Sequence, residues 1–426
     1  MIDPELLRKD PERIREAARL KGFDPETVDL AVTLDRRRRE LLAVVERLRA
    51  ERNALSKRIG SLPPEERHAA LTRATVLKER LAQLEPELRD VQNRLQHLLL
   101  CLPNPPAPSS PVGSSDEDNV EIRRWGQPPS FPFPPRDHME LGQLLGIIET
   151  ERAVKMAGSR AYFLKNEGAL LEWAVLRFAV DLLLRRGYTL LAPPVLVRDE
   201  AMTATGYFPL GREEVYRLER DELNLVGTAE VPLVAYHMDE TLEENELPRR
   251  YCALSPCFRR EVGSAGRDVH GLYRVHQFFK VEQVIICEAD PDASRRYHEE
   301  LLKNAEDILQ ALELPYRVVQ VCTGEMGQGQ VLKHDIETWM PSRGRYGETH
   351  SCSSFHDFQA RRARIRYRDR NGRVRYAYTL NNTAVASPRI LIPLLEIHQR
   401  EDGSVRIPEA LRPYMGGLEA LVPRVA

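Results

Sequence analysis

At 426 residues the chain is longer than a single hydrophobic core usually grows, so a large domain with a smaller appendage is the first expectation. Lys plus Arg total 62 against 64 for Asp plus Glu, a net charge of −2, which excludes a protein that coats nucleic acid with its whole surface. Any nucleic-acid contact must be local, and DNA is not an expected partner.

The N-terminal run MIDPELLRKDPERIREAARLKG mixes acids with bases and lacks the apolar core of a signal peptide. No stretch approaches the roughly 18 uncharged apolar residues of a membrane span, so a cytoplasmic location without a membrane partner is expected. From Leu34 to Ile59, leucines at 34, 41, 48 and 55 form a seven-residue seam, with Val44, Val45 and Ile59 beside it. Leu81, Leu88, Leu95 and Leu102 alternate with Leu77, Leu84, Val91 and Leu98 in the 4-3 spacing of a coiled coil. Between the two runs, Gly60 can end one helix and Pro64 with Glu65 and Glu66 can begin the next, which predicts an antiparallel hairpin. Helices of this size reach roughly 45 to 60 Å and should project as an arm. Pro86 falls at an outward heptad position, where a kink is expected. Residues 34–59 hold nine basic side chains against four acids, and Arg36, Arg37, Arg38 and Arg39 are consecutive. Charge alone fits a solvated coiled-coil face as well as an RNA-binding one.

Residues 103–118 are rich in Pro, Ser and acids and read as a linker. Beyond them, helical patterns alternate with β-rich runs: a helix over 168–186, and strands at 188–191, 233–237 and 283–287. Two more runs, 364–367 and 374–380, flank the turn Asp369-Arg-Asn-Gly372. The fold class expected is α+β, divided into 1–102 (helical arm), 103–118 (linker) and 119–426 (an antiparallel β-sheet flanked by helices). The six cysteines show no metal-ligand spacing and read as buried free thiols. The tryptophans read as packing, and Glu172 and Asp181 as solvated or interface charges.

No Walker loop and no GxGxxG follows a strand, so a bound nucleotide would have to be held by arginines. The run CFRREVGSAGRDVHGLYRVHQFFKVE, Cys257 to Glu282, offers them where one strand leaves and another returns. It resembles motif 2 of class II aminoacyl-tRNA synthetases, in the form carried by the seryl-tRNA synthetase family. Gly187-Tyr-x-x-Leu-x-x-Pro194 resembles motif 1, and Asn381-Asn-Thr-Ala-Val-Ala-Ser-Pro-Arg389 resembles motif 3. Gly158-Ser-Arg160, Thr228-Ala-Glu230, Glu348-Thr-His-Ser351 and the helical hairpin extend the likeness over nearly the whole chain.

That resemblance implies activation of L-serine with ATP, transfer to tRNA(Ser) recognised through the arm, Mg²⁺ as cofactor and a homodimer. It implies that Arg259 bridges the α-phosphate and the serine carboxylate, and that Arg389 grips the γ-phosphate while flanking adenine opposite Phe278. Arg260, Glu261, Val275, Thr349 and His350 are implied at the ATP site, with Glu348 and Ser351 as Mg²⁺ ligands. Thr228, Ala229, Glu230, Glu282, Asn381 and Thr383 are implied around serine, Glu282 and Thr383 at its hydroxyl. Taken singly, Glu282 reads as a buried acid, Phe278 as core and Arg259 as a surface ion pair; the spacing reverses those readings. The chain departs from the family pattern at Arg260, usually a small residue, and at His270, often arginine. Asn382 and Ala384 stand in place of glycines, Asn being tolerant of left-handed torsions.

Overall fold

The computed structural model describes residues 1–264, 268 and 270–424; residues 265–267 and 269 of the motif 2 run lie outside them. The chain divides into two compact units, Met1–Pro103 and Asn104–Ala426.

The first unit is helical: α1 (Pro4–Lys9), α2 (Pro11–Leu20), α3 (Glu26–Ile59) and α4 (Pro64–Cys101). Asp3 and Asp10 cap α1 and α2 by accepting the Glu5 and Arg13 amides, each followed by a proline at the first helical position. Helices α3 and α4 pack on one another over a seam of buried Leu41, Val45, Leu77, Leu81, Leu84 and Leu88. Each buried leucine contributes about 2 kcal/mol. The ion pairs across the hairpin, Arg49–Glu85 at 2.8 Å and Arg73–Glu51 at 2.7 Å, are solvent-exposed and add little. Helix α3 starts before the expected Leu34, because Val28, Ala31 and Leu34 are buried along with Ile14, Ala17 and Ala18 of α2. Helix α4 runs on through the exposed Pro86 without a break.

The run after Pro103 has little secondary structure but is tied down. Asn104 and Ala107 donate their amides to the Gln328 and Val331 carbonyls, both at 2.8 Å, and Pro111 accepts the Thr323 amide at 2.9 Å. These bonds hold the run within the second unit.

That unit is built on eight strands: β1 (Val120–Trp125), β2 (Thr189–Leu190), β3 (Arg249–Phe258), β4 (Gln277–Cys287), β5 (Tyr316–Gln320), β6 (Leu332–Met340), β7 (Arg345–His356) and β8 (Tyr378–Ser387). They lie in the order β1-β5-β6-β7-β8-β4-β3-β2, antiparallel throughout except for β2 on β3. The helices Glu167–Arg185 and Pro291–Ala311 pack on the sheet, burying Val175, Ala179 and Leu183 from the first and Leu301, Ala305 and Ile308 from the second.

Three expectations are corrected. Leu233–Ala235 belongs to a helix, Glu230–Ala235, and not to a strand; Val231 to Val234 are all buried, which erases the period that separates helix from strand. Glu172 is neither solvated nor free, being buried and accepting the Ser387 hydroxyl at 2.8 Å. Trp173 does not pack within the chain, since 66% of it is exposed. The Asp369–Gly372 turn forms as expected, joining Arg366–Arg368 to Val374–Tyr376, with Gly372 at φ +76°. All six cysteines are free thiols, and five are buried.

Candidate active site

A cavity of about 350 Å³ opens over β4, β7 and β8, and every residue lining it comes from the second unit. Side chains alternate across a strand, so Thr349, Ser351 and Ser353 of β7 face the cavity while His350 and Cys352 turn to the helix side. A bulge in the β6–β7 pairing opposite Ile336 and Glu337 breaks this alternation and brings Glu348 to the cavity as well.

At one end are carboxylates. Glu282 and Thr383 are directly opposed across β4 and β8, and Asn381 lies on the same strand as Thr383. Glu282 accepts the Thr228 hydroxyl at 2.9 Å and pairs with buried Lys280. Glu230 accepts the Gln359 amide at 2.7 Å, and Gln359 is itself fixed by the Thr379 hydroxyl at 2.6 Å. Burial and then the nearby Glu282 push the Glu230 carboxyl up to about 7.

The other end is rich in arginine. Arg259 follows β3 directly, with its amide bonded to the His276 carbonyl at 2.9 Å and its Nε to the Gly227 carbonyl at 3.2 Å. Its guanidinium lies 5.2 Å from the Phe278 ring centroid. Arg389 donates Nε to the Tyr273 carbonyl at 3.0 Å and Nη1 to the Glu348 carbonyl at 3.1 Å, with its guanidinium 4.3 Å from the Tyr273 ring. Arg274 reaches Glu261 at 3.2 Å. Enclosure works against ionisation of Glu348, but Arg389, Lys333 and Arg259 outweigh it and hold the carboxyl below its ordinary range.

The cavity brings together Thr228, Glu230, Arg259, Glu261, Val275, Phe278, Glu282, Glu348, Thr349, Ser351, Asn381, Thr383 and Arg389. Three expected residues do not line it. Arg260 turns outward and donates to the Glu213 carbonyl at 2.9 Å. Ala229 is fully buried in an apolar cluster with Leu233 and Ala253. His350 donates Nε2 to the Ala384 carbonyl at 3.1 Å, and burial lowers it to about 4, so it stays neutral. His270 is exposed, 3.5 Å from Asp137. Asn382 has no left-handed torsion; it sits fully buried in β8 and donates to the Leu301 carbonyl at 2.8 Å.

Lys280, Tyr207 and Tyr273 line the cavity and were not anticipated. A signal existed for Lys280, which stands two residues before Glu282 and so on the same face of a strand. None existed for Tyr207, which a loop carries there from 75 residues away in sequence from Glu282.

An antiparallel sheet bearing arginines at one end of a cavity and buried carboxylates at the other is the frame of a class II tRNA synthetase. Residues 214–398 match the family described as the tRNA synthetase class II core domain (G, H, P, S and T). Residues 1–106 match the seryl-tRNA synthetase N-terminal domain. The chain is 51% identical to a serine–tRNA ligase of Deinococcus radiodurans and 47% identical to one of Rubrobacter xylanophilus, over 99% and 98% of both chains respectively. Its fold superposes on the crystal structure of seryl-tRNA synthetase from Pyrococcus horikoshii complexed with ATP, with a TM-score of 0.94 and 38% identity over the full length of both. The chain belongs to the seryl-tRNA synthetase family.

Proposed function

We propose that the chain activates L-serine with ATP, forming seryl-adenylate and pyrophosphate, and then transfers the seryl group to the 3′ end of tRNA(Ser). The observation that supports this most is the cavity's polarity: Glu282 opposed to Thr383 at one end, Arg259 and Arg389 at the other. Adenylate formation needs two anions, a carboxylate and an α-phosphate, held in line with their repulsion offset; little proton transfer is required. Arg259 would serve both anions. Arg389 would hold the γ-phosphate, with Phe278 and the Val275 backbone against adenine and Glu261 at its edge. Thr228, Glu230 and Asn381 would take the ammonium, while Glu282 and Thr383 take the hydroxyl. A pocket that pairs a hydroxyl rejects alanine by up to about 10⁴, because its own buried polar groups would go unmet.

The Glu348 carboxylate and Ser351 hydroxyl are hard oxygen donors that both line the cavity, a set suited to Mg²⁺. Mg²⁺ bound there would neutralise phosphate charge.

The basic hairpin of α3 and α4 is the proposed tRNA contact, and the domain roles divide accordingly into arm, linker and catalytic domain. Helix Glu167–Arg185 leaves Leu170, Trp173 and Leu184 exposed, which supports a homodimer built on it. No helix among the described residues is long and apolar enough to cross a membrane, and the proposed location is cytoplasmic.

Pyrophosphate exchange with each amino acid in turn, followed by charging of tRNAs with and without a long variable arm, tests the reading. Serine alone should support exchange, and Glu282→Ala should abolish it while ATP still binds. Exchange with no amino acid would instead point to a non-catalytic RNA-binding relative, and activation without charging to a ligase that loads another carrier.

A further inference from the structure

His138 has no part in the site as described, yet its ring joins two segments that build it. It opens the helix His138–Leu144 and is 6% exposed. Its Nε2 lies 3.2 Å from the backbone nitrogen of Leu272, and its Nδ1 lies 2.8 Å from Oε1 of Glu396. An amide can only donate, so Nε2 must be the unprotonated acceptor and the ring proton must sit on Nδ1, donated to Glu396. Glu396 is fully buried and also accepts the His138 amide at 3.0 Å, the Ser342 amide at 2.9 Å and the Ser342 hydroxyl at 2.8 Å. Four donors therefore meet one carboxylate, which fixes the ring that leans on it. The His270 ring centroid lies 6.5 Å from that of His138, and His270 pairs with Asp137, the residue before His138.

The approach to the Leu272 amide is close enough to dictate a residue. Gly271 has φ +77°, and a Cβ there would stand 2.2 Å from His138 Nε2. One residue beyond Leu272, Tyr273 enters the cavity. Its carbonyl receives Arg389 Nε, its hydroxyl donates to the Glu348 carbonyl at 3.3 Å, and its ring lies under the Arg389 guanidinium. Glu396 stands seven residues after Arg389, in the helix Leu391–Ile397. His138 thus spans the gap between the segment that carries Tyr273 and the helix that follows Arg389.

We propose that His138, held as its Nδ1–H tautomer by Glu396, is a positioning residue that sets Gly271–Tyr273 against Arg389 and so preorganises the ATP end of the cavity. This rests on the reading of that end as the ATP site.

The test pairs kinetics with spectroscopy on the full-length protein. In serine-dependent pyrophosphate exchange, H138A and H138N, which leave the Leu272 amide without its acceptor, should raise KM for ATP about tenfold and leave KM for serine within about twofold. H138Q, whose amide oxygen can reach the Nε2 position, should recover most of the loss. A merely structural role would raise both KM values together and would not be rescued by Gln; either result overturns the proposal, as does an unchanged KM for ATP in H138A. Where H138A fails to fold, H138Q against H138N decides. Independently of activity, ¹⁵N-histidine NMR should show, among the rings with protonated Nδ1 and bare Nε2, which by the same geometry include His237 and His276, one signal that is absent in H138Q. An Nε2–H tautomer at His138 would refute the assignment even if the wild type activates serine. An inactive wild type with the expected tautomer would remove the functional reading and leave the local geometry to be judged by the spectrum.

Discussion

Glu230 is a carboxyl that burial, and then Glu282, have moved toward neutrality, so its charge changes near physiological pH. The sign is determined by what it is proposed to bind. Serine's ammonium needs an ionised partner, and below about pH 7 the proton on Glu230 removes it. KM for serine should therefore rise about tenfold from pH 8 to pH 6, while KM for ATP changes little; a serine KM flat across that range would dismiss Glu230 as the ammonium partner. The same raised value makes the ionised form costly in the folded state, so this group's contribution to stability is lost as pH rises through about 7. Arg389 offers a second residue-scale prediction. It donates from Nε and Nη1 to two different carbonyls while its plane covers Tyr273, a combination that lysine's single ammonium cannot reproduce. Arg389→Lys should reduce kcat/KM for ATP at least tenfold, about 1.4 kcal/mol, in the exchange assay. Residue identity at these positions was legible from motif spacing. Which neighbours fall outside the cavity was not, because Ala229 precedes a helix whose period is erased by burial on all sides and a bulge breaks the strand alternation beside His350.

Among the elements, the hairpin illustrates how a charge run can mislead. Of the four consecutive arginines, Arg38 and Arg39 bond to Asp35 at 3.0 and 3.1 Å, Arg8 joins them at 2.9 Å, and Arg37 reaches Glu87. Asp35 is 3% exposed; Arg8 ties it across to α1, Arg38 and Arg39 bond it within their own helix, and Arg37 is engaged with α4, so three of the four consecutive arginines already have partners in the first unit. Burial alone would raise the Asp35 carboxyl, but the bonds from Arg8 and Arg38 outweigh it and keep it below the ordinary range. Its stabilisation is therefore present above about pH 4 and fades as the pH falls through the lowered folded value. Asp35→Asn should destabilise the first unit by about 2 kcal/mol, less than a fully buried pair would lose because the arginines remain partly solvated. Hydrogen exchange of α1 and the start of α3 should accelerate, with exchange in the second unit unaltered. Equal protection in the variant would show that the apolar seam alone holds this end.

For the whole molecule, the division of labour predicts a separable arm. Every residue lining the cavity lies beyond Pro103, whereas Val28, Ala31, Leu34 and Asp35 belong to the packed root of the first unit. Deleting residues 46–80 and closing the gap with a short Gly/Ser turn should leave that root and serine activation intact, while charging of tRNA collapses. Each lost phosphate contact should also flatten the dependence of log affinity on log salt by about 0.7 to 0.9. Efficient charging by the shortened protein, with an unchanged salt slope, would mean that tRNA is recognised elsewhere.

What the sequence determined by itself was the periodic and the local: the 4-3 seam of the hairpin, the break at Gly60 to Pro64, the turn at Asp369 to Gly372, and the order of residue types that marks the family. These are set by spacing along the chain, where a helix or turn reads its own letters. Tertiary structure decided the rest. It turned 230–235 into a helix, because burial on all sides removes the pattern that distinguishes helix from strand. It tied residues 104–113 to the second unit, because their amides and carbonyls found partners more than 200 residues away. It brought His138, Leu272 and Glu396 into one hydrogen-bonded chain, which no spacing encodes, since their meeting depends on the packing of segments that are neighbours only in space.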